Sequence, residues 1–150
     1  MHPIRIAIIG VGNCATAFLQ GLEYYQRSSN HQPGLLHERL GSYRAEDIRV
    51  VAAFDVDARK VGKPLEEACK AQPNCTAWFV NRLPRYGVRV AMGPVLDGVA
   101  SHMRRYPKTQ TVVIANRQPV NIAKVLRKHR VEILLNYLPV GSERATAQYA

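Results

Sequence analysis

The residues best suited to chemistry are small ones, arranged as Gly10-x-Gly12-x-x-Ala15. Gly10 would let the chain turn sharply, Gly12 would let a ligand's phosphates approach the backbone, and Ala15 would let a helix pack closely on a strand. The free N–H groups of Asn13 and Cys14 would then point at those phosphates from the helix N-terminus. The pattern predicts a site for the pyrophosphate of a dinucleotide, and a strand-to-helix turn without a ligand is the alternative.

A carboxylate, Asp55, ends the next apolar stretch at 48–54. An acid there can accept both hydroxyls of the adenosine ribose, and its charge repels a 2′-phosphate, so NAD is expected rather than NADP. Asp55 lies much farther from the glycines than the usual separation of about twenty residues, so the polar segment 27–47 is interpreted as an insertion. Arg59 and Lys60 follow closely, and two cations that could bind a 2′-phosphate leave NADP open.

A third group of residues, from Asn136 to Gly141, follows the last predicted strand. Ligands of open α/β sheets bind outside the carboxyl ends of the strands. This loop is therefore expected at the same sheet edge as the glycines and Asp55. The alternative is a Pro-Gly turn before a helix that Ser142 caps.

The other chemically able residues form no catalytic or metal-binding pattern. Cys14, Cys69 and Cys75 lack the spacing of zinc ligands, as do the histidines. Cys14 has no identifiable histidine partner that would make it a catalytic thiol. Asp97 could contact a cofactor or cap a turn. The sequence thus predicts a binding site with no assigned catalytic residue and no metal.

Alternating strands and helices must position these residues. The stretch 4–9 is short, β-branched and almost wholly apolar, as in a central parallel strand, and apolar residues recur at helical spacing over 14–26. Strands are further predicted at 48–54, 76–80, 88–92, 111–115 and 131–135, and helices at 61–71, 95–105, 120–129 and from Glu143 onward. Segment 27–47 should hold at most a short helical piece at 35–40. This order predicts one domain over 1–150, an α/β fold with a Rossmann-like, doubly wound, mostly parallel sheet.

The composition fits a folded protein with an unusual charge. The chain has 150 residues, of which 47% are hydrophobic, and a formal net charge of +10. Segment 98–131 contains no acid but many lysines and arginines. Such a block attracts anions, whether a phosphorylated substrate, nucleic acid or an acidic surface, or it is a solvated face. No apolar run could span a membrane, and a missing export signal with few cysteines predicts a cytoplasmic protein.

Several blocks together resemble one known family. The chain is similar to the bacterial and archaeal type of myo-inositol-1-phosphate synthase, also called inositol-3-phosphate synthase. The similarity spans nearly the whole chain in family order, and it accounts for the insertion before Asp55. The blocks that carry it are 8–15, 20–25, 33–37, 52–57, 60–63, 93–98 and 136–143.

The resemblance implies a cofactor and a reaction. Family members convert glucose 6-phosphate to 1D-myo-inositol 3-phosphate by NAD-dependent oxidation, aldol cyclisation and reduction. The net reaction is an isomerisation, so NAD is a catalytic cofactor; a homo-oligomer, a tetramer in the family, is also implied. The cofactor-binding positions of this chain are then Gly10, Gly12, Asn13, Cys14, Ala15, Asp55, Asn136, Tyr137, Leu138, Pro139 and Gly141.

The chain departs from the family in length. Family members are much longer, and their catalytic lysines and most sugar-phosphate contacts lie beyond the part that this sequence matches. The chain alone is therefore expected to bind NAD without cyclising glucose 6-phosphate, and its sheet is expected to be incomplete. A stand-alone dinucleotide-binding module or sensor is the main alternative. A nucleic-acid-binding protein is less favoured, because no such motif or regular pattern of aromatic residues accompanies the basic block.

Overall fold

The computed structural model describes residues 2–27 and 33–150. Strands and α-helices follow one another, and two short 3-10 helices lie at Ala45–Asp47 and Ser101–Arg105. The elements in chain order are β1 (Ile4–Ile9), α1 (Asn13–Arg27), β2 (Ile48–Asp55), α2 (Leu65–Ala68), β3 (Ala91–Met92), α3 (Ile122–Lys128), β4 (Ile133–Asn136) and α4 (Glu143–Tyr149).

The strands form one four-stranded sheet in the order β3-β2-β1-β4, and every pairing is parallel. β1 lies centrally, with Ile4 opposite Ile48 of β2 and Ile6 opposite Ile133 of β4. Parallel strands need crossover connections, which the helices between them supply. The prediction of a Rossmann-like α/β fold is confirmed.

Both faces of the sheet are covered, because successive side chains of β1 point to opposite faces. Ile6 and Ile8 pack in one cluster with the apolar side of α1, whereas Ala7 and Ile9 pack in a second cluster with residues of α3 and α4. The buried apolar residues of α1 recur three or four positions apart, as an amphipathic helix requires, and each fully buried leucine or isoleucine contributes roughly 1.5–3 kcal/mol. They include Ala15, Leu19 and Leu22.

The elements predicted around the glycine pattern are confirmed to within a few residues. The strand at 4–9 matches β1, and the strand at 48–54 extends by one residue to include Asp55. The helix predicted at 120–129, the strand at 131–135 and the helix from Glu143 correspond to α3, β4 and α4.

Two elements near β2 are much shorter than predicted. The helix at 61–71 contains only α2, and the strand at 88–92 contains only β3. Gly62 adopts φ +84°, and its N–H donates to the Val90 carbonyl at 2.8 Å. The Leu65 N–H likewise donates to the Val88 carbonyl at 2.9 Å. The two segments are tied to each other, so these backbone groups are not available for a longer helix or a longer sheet strand.

Three other predicted elements are wrong within the described residues. Segment 76–80 is not a strand, and 111–115 makes only an antiparallel bridge between Ile114 and Asp57. Only the 3-10 helix at Ser101–Arg105 forms within the helix predicted at 95–105. Segment 35–40, for which at most a short helical piece was expected, is not helical; Leu36 is 90% exposed there, so it does not add to a buried apolar face that would stabilise a helix. Residues 28–32 of the predicted insertion lie outside the described residues.

Candidate functional site

A cavity of about 420 Å³ opens at the carboxyl ends of β1, β2 and β4. This volume is within the range of small-molecule sites, and the sheet edge is where ligands of open α/β folds bind. Most of the residues predicted to bind the cofactor lie on its wall. These are Gly10, Gly12, Asn13, Cys14, Asp55, Tyr137, Leu138 and Pro139.

Three predicted residues lie behind the wall and are not among those that line it. Ala15 is fully buried between α1 and the sheet. The Asn136 side chain accepts a hydrogen bond from the Leu138 N–H at 2.9 Å and donates one to the Thr146 hydroxyl at 2.9 Å. Gly141 takes φ +87° in the turn before α4. These residues support the glycine turn and the 136–141 loop from outside the cavity.

Gly10 is where the chain leaves β1, with φ +83°. A Cβ at this position would lie 2.9 Å from the carbonyl oxygen of Tyr137. The Tyr137 N–H donates to the Ile9 carbonyl at 2.8 Å, so the 136–141 loop crosses directly over the end of β1. Glycine is therefore required both by the left-handed conformation and by the close backbone approach.

Gly12 faces the cavity, and a Cβ built on it would meet nothing within 4 Å. The next two residues, Asn13 and Cys14, begin α1, and the N–H groups of a first helical turn have no acceptor within the helix. The positive end of the helix dipole adds to this exposed row of donors. The wall at Gly12 thus suits a phosphate group that comes close to the backbone, which is the fit that a dinucleotide requires.

Asp55 ends β2 on the opposite side of the glycine turn, and backbone amides hold its carboxylate. Oδ2 accepts from the Val11 N–H at 2.8 Å, and Oδ1 accepts from the N–H groups of Val56 at 2.7 Å and Asp57 at 2.8 Å. A carboxylate has about four acceptor positions. Most of them are filled within the chain, so Asp55 is rigid but has little capacity left for two ribose hydroxyls.

The two cations that follow Asp55 have different environments. Arg59 is engaged by the fully buried Asp57: its Nε donates to Oδ1 at 2.8 Å and its Nη2 to Oδ2 at 2.5 Å. Further hydrogen bonds reach the carbonyls of Lys108 and Thr111. Lys60 instead lines the cavity, with its Nζ 3.8 Å from Oδ2 of Asp55. Of the two cations proposed for a 2′-phosphate, only Lys60 faces the site.

The Asp57 carboxyl is ionised as a result of this pairing. Burial by itself would raise its pKa, but hydrogen bonds from the side chain and backbone of Arg59 and from the Val113 N–H more than offset that effect. The pKa of Asp57 therefore lies below its ordinary value. The ion pair fixes the turn that carries Lys60.

Asp97 caps a helix and does not line the cavity. Its carboxylate accepts from the N–H groups of Arg144 at 2.7 Å and Ala145 at 2.9 Å, in the first turn of α4. Burial by itself would raise the pKa of Asp97. The two hydrogen bonds together lower it by more, so the net pKa is below its ordinary value. Its neighbours Leu96 and Gly98 do face the cavity.

Sequence reasoning missed an apolar part of the wall. It comes from loops outside the sheet, and their backbone path could not be read from strand or helix periodicity. The block at 93–98, conspicuous only as part of the family resemblance, was the available signal. The residues concerned are Pro94, Val95, Leu96, Val99 and Val112.

The described residues offer neither a membrane-spanning helix nor a cluster of metal ligands. None of their helices is long and apolar enough to cross a bilayer. They contain no group of three or more His, Cys, Asp or Glu side chains that could hold a metal ion.

Sequence comparison now defines the relationship. The chain is 45% identical over 149 residues to the inositol-3-phosphate synthase of Corynebacterium glutamicum, a match that covers 98% of the chain. It is 43% identical over 149 residues to the inositol-3-phosphate synthase of Mycolicibacterium smegmatis. The chain is a homologue of the inositol-3-phosphate synthases. The resemblance predicted from the motifs is confirmed, although the chain spans only 39% of the length of either relative and no family model matches it.

Two solved structures share the fold of this chain. The match to the crystal structure of Ari2 covers 99% of this chain and 42% of the Ari2 chain, with a TM-score of 0.76 and 32% sequence identity. A myo-inositol-1-phosphate synthase-related protein from Thermotoga maritima matches 91% of this chain and 35% of its own, with a TM-score of 0.61 and 23% identity. The second match supports the fold alone.

Proposed function

We propose that this homologue forms the NAD-binding part of an inositol-3-phosphate synthase. One observation carries the proposal: the open face of Gly12 and the first turn of α1 border a cavity that is also lined by Asp55, whose carboxylate is fixed against the glycine turn by the Val11 N–H. This arrangement offers amide donors for a pyrophosphate and an acceptor for a ribose at one sheet edge.

The roles of the residues follow from their chemistry. The N–H groups of Asn13 and Cys14 bind the pyrophosphate, Asp55 accepts from the adenosine ribose, and the 137–139 backbone closes the other side of the cavity. The apolar wall excludes water from the bound dinucleotide. When bound, NAD supplies reversible hydride transfer.

The whole reaction is proposed from the relatives. The substrate is glucose 6-phosphate, the product is 1D-myo-inositol 3-phosphate, and the enzyme is an isomerase of inositol and phospholipid biosynthesis. The groups that hold the sugar and close the ring belong to the part of the relatives that this chain does not match. A homo-oligomer and a cytoplasmic location are part of the same proposal.

Calorimetric titration of the purified chain with NAD tests the binding function. Gly12→Ala should weaken NAD binding about tenfold or more, because the added methyl group occupies the face at which the phosphates approach. Gly21→Ala is the matched control: Gly21 lies within α1, and a Cβ there also meets nothing within 4 Å. The control should keep wild-type affinity and gain about 0.5–1 kcal/mol of stability.

Two results would contradict the proposal. A folded wild-type chain that shows no heat of binding at millimolar NAD would remove it. Equal NAD affinity of the wild type, Gly12→Ala and Gly21→Ala would place any bound dinucleotide away from the glycine turn.

A further inference from the structure

We infer that Lys60 is a specificity-determining residue that reads the ribose 2′ position together with Asp55, so that the site admits a 2′-phosphate better than a lone acid would. The inference rests on the proposed function. Asp55 and Lys60 act as a pair of opposite charges with a net charge near zero. The selectivity of the site for NAD over NADP is consequently set by the balance between the two side chains.

The first support is the environment of the Lys60 ammonium. The Lys60 side chain is 6% exposed and the Asp55 side chain 10%, yet the Nζ–Oδ2 distance of 3.8 Å is too long for a hydrogen bond. An ammonium carries three donors, and burying it without hydrogen bonds is costly. In residues 2–27 and 33–150 the ammonium has one ion-pair partner, Asp55, and its charge also acts on the buried Cys69 thiol. Because Lys60 lines the cavity and neither neighbour accepts a hydrogen bond from it, its donors are available to a ligand there.

The second support is the rigidity of the turn that presents Lys60. The Lys60 N–H donates to the Asp57 carbonyl at 2.9 Å, and its own carbonyl accepts from the Lys63 N–H at 3.0 Å. Arg59 is anchored to the Asp57 carboxylate through both its side chain and its N–H, the latter at 2.8 Å. The backbone of Lys60 is therefore fixed at the cavity wall by contacts within the chain.

The third support is the limited capacity of Asp55. Its carboxylate already accepts hydrogen bonds from the N–H groups of Val11, Val56 and Asp57. About one acceptor position remains, whereas two ribose hydroxyls would need two. Asp55 accepts from one hydroxyl, and Lys60 donates to the oxygen of the other. When that oxygen carries a phosphate, the ammonium pairs with it and offsets the repulsion from Asp55.

Two small probes isolate the 2′ position. 5′-AMP and 2′,5′-ADP differ only in the 2′-phosphate, and both are titrated calorimetrically into the wild type, Lys60→Met and Lys60→Arg. Lys60→Met should weaken 2′,5′-ADP about tenfold, the effect of one lost hydrogen bond to a charged group, and weaken 5′-AMP about threefold or less. Lys60→Arg keeps the charge and should restore most of the 2′,5′-ADP affinity. Across these variants the affinity for NADP should follow that for 2′,5′-ADP, and the affinity for NAD should follow that for 5′-AMP.

Asp55→Asn is the reciprocal variant. It removes the negative charge but keeps an acceptor oxygen, so the ratio of 2′,5′-ADP affinity to 5′-AMP affinity should rise about tenfold. Melting temperatures without ligand show whether each variant is folded. Should Lys60→Met fail to fold, Lys60→Gln replaces it, and the ratio of the two affinities remains the readout.

The outcomes separate the two proposals. Wild-type protein that binds NAD, with a probe ratio that Lys60→Met leaves unchanged, overturns the role of Lys60 and retains the binding function. An equal loss for both probes also overturns it, because the ammonium would then contact the shared 5′-phosphate. A wild type that binds neither the probes nor NAD overturns both.

Discussion

At the scale of single residues, Gly10 and Gly12 must be small for different reasons. Gly10 has a left-handed φ of +83° and a backbone carbonyl against the position of its Cβ, so it serves the fold. Gly12 has open space at that position and borders the cavity, so it serves the ligand. A glycine pattern read from sequence does not distinguish these roles, because both require the absence of a side chain.

The Asp57–Arg59 ion pair leads to a prediction about stability and pH. Removing one partner of a buried pair leaves the other charge uncompensated, so Asp57→Asn should lower the free energy of unfolding by about 3 kcal/mol at neutral pH. The native pKa of Asp57 is depressed below its ordinary value of 3.8, so its stabilising contribution is complete above that pH and is lost as the pH falls through the native pKa. Urea unfolding from pH 7 down to pH 3 measures both the loss of stability at neutral pH and its dependence on pH.

The difference in stability between the wild type and Asp57→Asn should therefore begin to shrink as the pH falls below about 4, since the variant lacks this titration. Arg49→Gln is a suitable control, because Arg49 is an exposed cation of β2. It should leave the pH dependence unchanged. A gap between wild type and Asp57→Asn that stays constant down to pH 3 would mean that the ion pair does not set the pKa of Asp57.

At the scale of elements, one side of α1 holds the segment that follows α2. Gln20 is fully buried; its Nε2 donates to the Ala77 carbonyl at 3.1 Å and its Oε1 accepts from the Phe79 N–H at 2.9 Å. Asn13 similarly accepts from the Cys75 N–H at 3.0 Å. These bonds explain why 76–80 is not a strand: side chains of α1 satisfy backbone groups that a sheet ladder would otherwise use.

Gln20→Leu tests whether these hydrogen bonds hold the 74–79 segment against α1. The substitution removes both side-chain hydrogen bonds at similar volume, so it should cost about 1–2 kcal/mol and speed hydrogen exchange at the Phe79 amide. Exchange mass spectrometry of a peptide covering 74–80 is the measurement. Gln26→Leu, at an exposed position of the same helix, should leave that peptide unchanged. Wild-type exchange in Gln20→Leu would show that other contacts hold the segment.

Elements in the centre of the fold were predictable from the sequence, and those at its periphery were not. β1 and β2 are buried on both faces, so their apolar runs carry a strong signal. The lengths of α2 and β3 were overestimated because residues 62–65 and 88–90 pair with each other. This contact joins distant segments, and neither segment reveals it alone. At the site, the glycine turn and Asp55 followed from motif and register, whereas the burial of Lys60 depends on the packing of the turn after β2.

At the scale of the whole molecule, the sheet of the described residues ends at β4. Ile133 in this strand is 45% exposed, and its neighbour on the inner side is β1. The relatives are far longer than this chain. The expectation that this sheet is incomplete therefore stays a prediction, in keeping with the unfavourable exposure of an apolar strand edge.

The net charge of +10 leads to a prediction for the molecule as a whole. The acid-free segment 98–131 contributes Gly98, Val99 and Val112 to the cavity wall, so part of this basic segment borders the proposed site of an anionic dinucleotide. Salt should act in opposite directions on two properties. Raising NaCl from 0.01 to 0.1 M shortens the screening length from about 30 to about 10 Å, which should raise the melting temperature by weakening self-repulsion and should lower NAD affinity.

Replacing Arg104 and Arg105, both exposed, by glutamine lowers the net charge by two, from +10 to +8. This double variant should flatten both salt dependences, because each arises from the summed charge rather than from a contact with either arginine. Melting curves and NAD titrations of the two proteins over the same NaCl series make the comparison, with sucrose at matched osmolality as the uncharged control. NAD affinity independent of salt in the wild type would mean that the basic segment does not contribute to binding, and that the short-range contacts at Gly12, Asp55 and Lys60 are sufficient.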